Sequence, residues 1–364
     1  MPIYMDRHDI SADVTAENVA DLHKEDLKIQ AKFNCKGLTY WFDESKKIAF
    51  CLIEAPNKDA IHKMHQHAHG EVPNQIIEVD PHLVESFLGR IKDPFQSSPN
   101  TQELINESAQ RVIMCLRFEP LQLRDLTVLK WKSILQSFLN VLKEKLNKYE
   151  GSIGNKVGSQ FLLSFKDLQD AISYGQELVK HLKIGKPLLN IKIGLSTGMP
   201  LSDGNDLFEH VISKSIALSY FKTNGIILSD SYLINQKGLQ KNMPINLSKE
   251  DLKILYHLLE FVKKEWQNPQ VKVEDFGHTL GLSKTLMYRN MIRLTGKSPN
   301  NFLRKYRLDQ ALDQLTMQEK SLTEIAFESG FNSGTYFSKC FRKQFGTLPS
   351  SYLKTFSDPE PNVQ

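Results

Sequence analysis

Seven of the chain's eleven histidines fall within the first 91 residues: His8, His23, His62, His65, His67, His69 and His82. On a helix, His65 and His69 are four apart and share one face, with His62 three residues before His65. Neutral imidazole suits nickel, zinc or copper, and such a pair can present two ligands to one ion. The same residues serve equally well as surface or hydrogen-bonded histidines without metal. A second kind of chemistry lies near the C-terminus. Ser321 and Glu324 form an S-x-x-E capping box, Gly330 supplies the left-handed backbone of a tight turn, and Ser333 can cap a following helix. Phe337, Phe341 and Phe345 recur every four residues and must face inward. Gly346 and Pro349 end that helix. Ser333, Thr335, Tyr336, Ser338, Lys339 and Arg342 then lie largely off the Phe stripe, as a helix entering a DNA major groove requires.

An earlier segment repeats this pattern. Val273, Phe276, Leu280 and Leu282 give an apolar face, Gly281 the turn, and Ser283 caps Lys284–Met291. Between the copies, Ser298–Leu312 has helical periodicity, with Pro299 in the first turn where its missing N–H is harmless. Two such heads joined by one helix closely resemble the DNA-binding domain of the AraC/XylS family of bacterial transcription regulators, over roughly residues 247–352. The most specific matches are Leu294-Thr295-Gly296-Lys297-Ser298-Pro299, Arg307-Leu308, Ile325-Ala326, Gly330-Phe331, Phe337, Phe341 and Gly346-Thr347-Leu348-Pro349. The resemblance implies double-stranded DNA as partner, with the recognition helices in successive major grooves about one helical turn, ~34 Å, apart. The residues expected at the DNA are Lys284, Thr285, Tyr288, Arg289, Asn332, Ser333, Thr335, Tyr336, Lys339 and Arg342. Two glycines depart from the family pattern. Gly334 removes one base contact from the second head, and Gly277 stands where a small Ala is usual, which should still allow close packing with some loss of stability.

The first ninety residues read as strand, helix, strand pair, helix, strand. The helices span Thr15–Phe33 and Asn57–Gly70, and the later strands Leu38–Phe42, Ile48–Ile53 and Gln75–Val79. This βαββαβ order is that of a ferredoxin-like fold. The segment also resembles a small family of ferredoxin-like bacterial domains, some of which bind nickel. The resemblance rests on Met5-Asp6-Arg7-His8, His23, Tyr40-Trp41, Phe50-Cys51-Leu52, Glu54-Ala55-Pro56, His65, His69-Gly70 and Glu78-Val79. It implies a metal site drawn from His8, His23, His65 and His69; His62, His67 and His82 lie outside the pattern. No cofactor follows from the sequence other than nickel or another divalent transition metal there. Affinity should fall as pH drops through the ordinary imidazole range of ~6.5.

Between them, Arg111–Phe118 reads as a strand and Leu123–Tyr149 as a long helix. Gly151–Phe165, Ile191–Gly198 and Asn224–Ser229 resemble strands of class III nucleotide cyclase domains. Those enzymes hold divalent ions on two Asp residues. Here the first strand offers Cys115 and Arg117, Ser159 stands at the second Asp position, and Ser213 and Ala217 replace the transition-state Asn and Arg. No catalytic set remains, and Gly151, Gly154 and Gly158 lack the Lys-Ser/Thr of a phosphate loop. The module reads as a non-catalytic sensor or dimerisation domain.

Charge is uneven although the net is only +4. Residues 1–91 hold ten Lys/Arg against fifteen Asp/Glu, whereas residues 250–354 hold sixteen against eleven. A basic C-terminal region attracts phosphate backbone; an acidic N-terminal one does not. No apolar run approaches ~20 residues, so no membrane partner is expected. Cys35, Cys51, Cys115 and Cys340 are scattered, fit a reducing cytoplasm, and read as packing residues. The expected fold class is α+β. Two ferredoxin-like or cyclase-like α+β domains, 1–91 and 110–246, are separated by a linker, 92–109. They are followed by an all-α double helix-turn-helix domain, 247–354, and a disordered tail, 355–364. The expected function is a cytoplasmic, sequence-specific DNA-binding transcriptional regulator, not an enzyme, paired as a homodimer and answering a metal or small-molecule effector. The alternatives are a nucleotide cyclase fused to a DNA-binding domain, and a metal-buffering protein.

Overall fold

The computed structural model describes residues 1–94, 104–120, 128–157, 160–182, 189–202, 204–222, 227–229, 245–317 and 319–357. In the first module β1 (Ile3–Asp9), β2 (Lys36–Asp43), β3 (Ile48–Glu54) and β4 (Gln75–Glu78) form an antiparallel sheet in the order β2-β3-β1-β4. The helices α1 (Ala16–Ile29) and α2 (Lys58–Ala68) start where their caps predict. Thr15 makes a capping box with Asn18, and Asn57 accepts from the Ala60 amide. Strand alternation sorts the faces of this sheet. Tyr4 belongs to the core beneath the helices, while Met5, Trp41, Phe50 and Leu52 point the other way. The expected βαββαβ order is present.

One further helix, α3 (Pro81–Leu88), went unread in the sequence although Asp80 caps it and Pro81 stands in its first turn. Its C-terminal carbonyls receive the second module: Arg111 donates to Phe87 O at 3.0 Å and Leu88 O at 3.3 Å, and Ser164 Oγ to Phe87 O at 2.9 Å. These contacts satisfy helix-end acceptors that would otherwise be buried unpaired.

The second module contains β5 (Arg111–Pro120), α4 (Val128–Leu146), β6 (Ser152–Val157), β7 (Gln160–Phe165), α5 (Leu168–Leu182), β8 (Leu189–Gly198), α6 (Glu209–Ser219), β9 (Ile227–Ser229) and β10 (Ile245–Asn246). Its sheet runs β10-β9-β8-β5-β7-β6, a second βαββαβ core with β9 and β10 added parallel to β8. Val112, Met114, Leu116 and Phe118 of β5 share a core with Phe138, Leu142 and Leu146 of α4 and Leu178 of α5. The intervening Ile113 and Cys115 join the core that contains α6 and the open face of the first sheet. The helix α6 lies very close to the strands because Gly194 has no side chain: a Cβ there would sit 2.0 Å from Ser215 O and 2.7 Å from Ser219 N. Gly194→Ala should therefore lower stability by ~1–3 kcal/mol, the usual cost of overpacking. A denaturation midpoint that stays at the wild-type value would contradict this close approach.

The C-terminal region is all helix: α7 (Lys249–Glu265), α8 (Val273–Leu280), α9 (Lys284–Thr295), α10 (Pro299–Met317), α11 (Leu322–Glu328), α12 (Gly334–Phe345) and α13 (Pro349–Ser357). Pro349, read as a terminator of α12, also begins α13, which continues to Ser357. Among the described residues no helix is long and apolar enough to cross a membrane.

Candidate functional sites

The helix-turn-helix heads are built as their local signals require. In the first, Gly281 adopts φ +63° at the end of α8, and Ser283 caps α9 by accepting from the Leu286 amide. In the second, the Ser321–Glu324 capping box opens α11, Gly330 adopts φ +74°, and Ser333 caps α12 by accepting from the Tyr336 amide. Met287, Met291 and Leu294 anchor α9; Phe337, Phe341 and Phe345 anchor α12, each at most 1% exposed. The opposite faces are left to solvent. Lys284, Thr285, Tyr288, Arg289, Asn332, Ser333, Thr335, Tyr336, Lys339 and Arg342 are all exposed. Two of them already have side-chain partners: Lys284 pairs with Glu274 at 2.6 Å, and Tyr336 Oη accepts from Arg304 at 3.1 Å.

Glycines decide the geometry of both turns. At Gly330 a Cβ would lie 2.5 Å from Trp266 O and 2.8 Å from Arg307 Nε. Arg307 in turn donates to Trp266 O and Asn268 O, each at 2.6 Å, so α10 ties the second turn to the end of α7. Gly277 is more than a tolerated substitute for Ala: a Cβ there would meet Leu282 O at 2.7 Å, a backbone atom that cannot swing away. At Gly334 nothing lies within 4 Å, so that position on the second recognition helix is open.

The N-terminal cluster gathers residues from β1, α1, β3 and α2 beneath the helices. Asp6 and His8, two apart on β1, face the same side, where Asp6 and His65 are each 1% exposed. Asp6 Oδ1 accepts from the Cys51 amide at 3.0 Å, and Asp6 Oδ2 accepts from His65 Nε2 at 3.0 Å. The other His65 nitrogen, Nδ1, lies 3.1 Å from Asp26 Oδ1 and 3.4 Å from His69 Nε2. His69 Nε2 is itself 3.2 Å from Asp26 Oδ1. Burial alone would push the His65 pKa down, but the Asp26 and Asp6 carboxylates outweigh it and hold it up at about 10. Burial would raise the Asp6 and Asp26 carboxyls, but the neighbouring histidines outweigh it and hold both below their ordinary range.

Among the described residues, two groups of donors lie close enough to hold an ion, Asp26 with His65 and His69, and Asp6 with His8 and Cys51. Of the four predicted ligands, His65 and His69 share the first group and His8 belongs to the second. His23 lines the same cavity but lies 3.4 Å from Asp93 and packs on Tyr40. Asp26 is absent from the predicted ligand set, and Asp6 and Cys51 belong to the sequence pattern without an assigned ligand role. Their signals were present: Asp26 follows His23 by three on α1, and Asp6 precedes His8 by two on β1. His62, His67 and His82 are exposed and stand apart.

The first group fits a divalent transition metal. Asp26 Oδ1 is buried without a hydrogen-bond partner although two imidazole nitrogens face it. Asp6 accepts from His65 Nε2, the carboxylate–histidine arrangement that orients metal ligands, so the proton a metal must displace is the one on Nδ1, beside Asp26. One adjustment is needed. His69 Nδ1 accepts from the Glu71 amide at 3.1 Å, which keeps its proton on Nε2; ligation through Nε2 requires that bond to open.

On the α6 side of the second sheet, Glu119 pairs with Arg117 at 2.8 Å and with Lys305 at 3.4 Å. Ala217 is fully buried, and Ser213 accepts from Lys263 Nζ at 3.5 Å. Ser159 lies outside the described residues.

Comparison with known proteins gives two separate matches. A family described as nickel responsive protein SCO4226-like matches residues 4–79, and a helix-turn-helix domain family matches residues 277–355. The HTH-type transcriptional activator RhaS of Mannheimia succiniciproducens is 34% identical over 80 residues, 22% of this chain and 30% of that protein. Histidine kinase P4 of Formosa agariphila is 32% identical over 114 residues, 31% of this chain and 8% of its own length. The chain thus spans less than a third of the length of these two relatives. The crystal structure of SCO4226 from Streptomyces coelicolor A3(2) is 27% identical, covering 21% of this chain and 94% of that one at a TM-score of 0.20. The two family matches thus fall on the N-terminal α+β module and on the C-terminal helices, and neither reaches the middle module.

Proposed function

We propose that the protein is a sequence-specific DNA-binding transcription regulator of the AraC type, whose N-terminal module answers a divalent transition metal, nickel first. The observation that carries the DNA reading is the pair of capped recognition helices. Each is pinned from behind by apolar side chains and leaves a polar face to solvent. A surplus of cations over residues 250–354 supplies the sequence-independent attraction to phosphate. The metal reading rests on Asp26, His65 and His69 as ligands, with Asp6 behind His65. A metal there joins α1 to α2 by ligand bonds. It changes DNA binding only if it favours one of two arrangements of the modules.

The direct test is selection of bound sequences from random DNA by the full chain, with and without nickel. An enriched motif and salt-sensitive affinity support the reading; absence of salt-sensitive DNA binding by the folded protein removes it. The middle module serves in this reading as a spacer and a pairing surface for a second chain. Its β5 carboxylate, Glu119, is held by Arg117 and Lys305 rather than left for a metal ion. Purified protein supplied with ATP or GTP and magnesium should yield no cyclic nucleotide. Metal-dependent turnover that vanishes on mutating this module would instead make it a cyclase.

A further inference from the structure

Where the second sheet meets the helix-turn-helix region, five cations surround one small cavity. Arg117 and Lys192 stand directly opposite each other on β5 and β8, and both face the α6 side. Lys222 follows α6, Lys297 precedes α10, and Lys305 lies on α10. Like charges in register across a sheet repel, and here there is little water to screen them, since Arg117 is 3% and Lys192 6% exposed. Glu119 answers part of this charge through Arg117 and Lys305, and Asp309 takes Lys305 at 2.9 Å. Lys192 Nζ donates to the carbonyls of Phe221 and Lys222 at 3.2 and 3.1 Å. Arg117 donates to Ser219 O at 3.0 Å and stacks 4.0 Å over the Tyr220 ring, yet its Nε is buried without a hydrogen-bond partner. Burial lowers both Lys192 and Lys297, and the neighbouring cations add to it against the pull of Glu119. The cavity, of about 70 Å³, has room for several waters or one small oxyanion.

We propose that this cavity binds a small multivalent oxyanion, a phosphate group or a compact dicarboxylate, which bridges the second sheet and the helix-turn-helix region. Two negative charges placed there meet five lining cations that share a single lining carboxylate, Glu119, and charge-assisted bonds from buried donors are the strong kind. The contacts come from both sides of the junction. Occupancy therefore favours the arrangement in which Lys297 and Lys305 sit against Arg117 and Lys192, and so gives an effector a purchase on the output domain. The binding claim stands independently of what that domain recognises.

Inorganic phosphate and malonate, titrated separately by calorimetry into the full chain at matched ionic strength, test the site. Saturable one-to-one binding of at least one anion is expected at ~1 mM or tighter. The stronger binder distinguishes a phosphoryl from a carboxylate ligand. Lys192 is too deep to replace without risk to the sheet, so the variants are Lys297→Gln, half-buried, and Lys222→Gln, exposed. Each should weaken binding about tenfold with an unchanged circular dichroism spectrum, while the distant Lys148→Gln binds as wild type. Failure of both anions to saturate, or wild-type affinity in both cavity variants, overturns the proposal. If neither anion binds and the two variants weaken DNA binding instead, the lysines serve the nucleic-acid backbone and the small-anion site is rejected.

Discussion

An Arg342→Ala chain should bind its operator about five- to 150-fold more weakly, equivalent to ~1–3 kcal/mol, if Arg342 reads a guanine through two hydrogen bonds. Arg342 is exposed near the end of α12, one residue beyond the buried Phe341. Its loss removes a contact without removing core. The salt dependence of affinity separates its two roles. A base-reading arginine leaves the slope nearly unchanged and relaxes one position of the selected motif. A phosphate-binding one weakens all sequences alike and reduces the slope by about one. Arg289, exposed on α9, should behave in one of the same two ways. Arg293 provides the contrast: its Nη1 donates to Asp251 Oδ2 at 2.7 Å, so Arg293→Ala should disturb the joint between α7 and α9 before it disturbs DNA. Wild-type affinity in Arg289→Ala and Arg342→Ala together would place the DNA surface elsewhere.

The second large effect concerns the metal. Asp26→Asn combined with His65→Ala removes two of three clustered donors and should abolish stoichiometric nickel binding by the full chain. Asp6→Asn should weaken it about 10- to 100-fold, because Asp6 orients His65 rather than ligating. His62→Ala, on the exposed side of α2, should change nothing. The pH dependence differs from the expectation drawn from an ordinary imidazole. A metal must displace the proton that Asp26 and Asp6 help His65 to hold up to about 10. Apparent affinity should therefore keep rising with pH through neutrality, roughly tenfold per unit for one proton released, instead of levelling above ~6.5. The linked effect on the metal-free fold has the opposite sign. His65 has a raised pKa, so its pairing stabilises fully below the unfolded imidazole range, and that contribution is lost as pH rises through about 10. Calorimetric titration across pH reads the first effect and thermal melting the second. A nickel affinity indifferent to these substitutions would return the histidines to a structural role.

Much of the architecture follows from local rules that the sequence states by itself. Ser321, Ser283, Thr15 and Asn57 cap their helices because a short polar side chain can satisfy an amide only at a helix start. Gly281 and Gly330 mark their turns because only a residue without Cβ takes the left-handed backbone cheaply. The Phe stripe of α12 fixes which of its residues face solvent, and the first βαββαβ run is legible as alternating periods. Tertiary structure decided what has no period. Asp26 and His65 lie 39 positions apart on separate helices and become neighbours only when α1 and α2 pack side by side on one sheet. The tight joint at Gly330 depends on Trp266 and Arg307. The cationic cavity needs β5 and β8 in register and α10 docked against them. A short-range pattern fixes the direction of a side chain along its own element. Which opposing charge, donor or carbonyl it meets depends on long-range packing, where the cost of burying an unpaired polar group selects the partner.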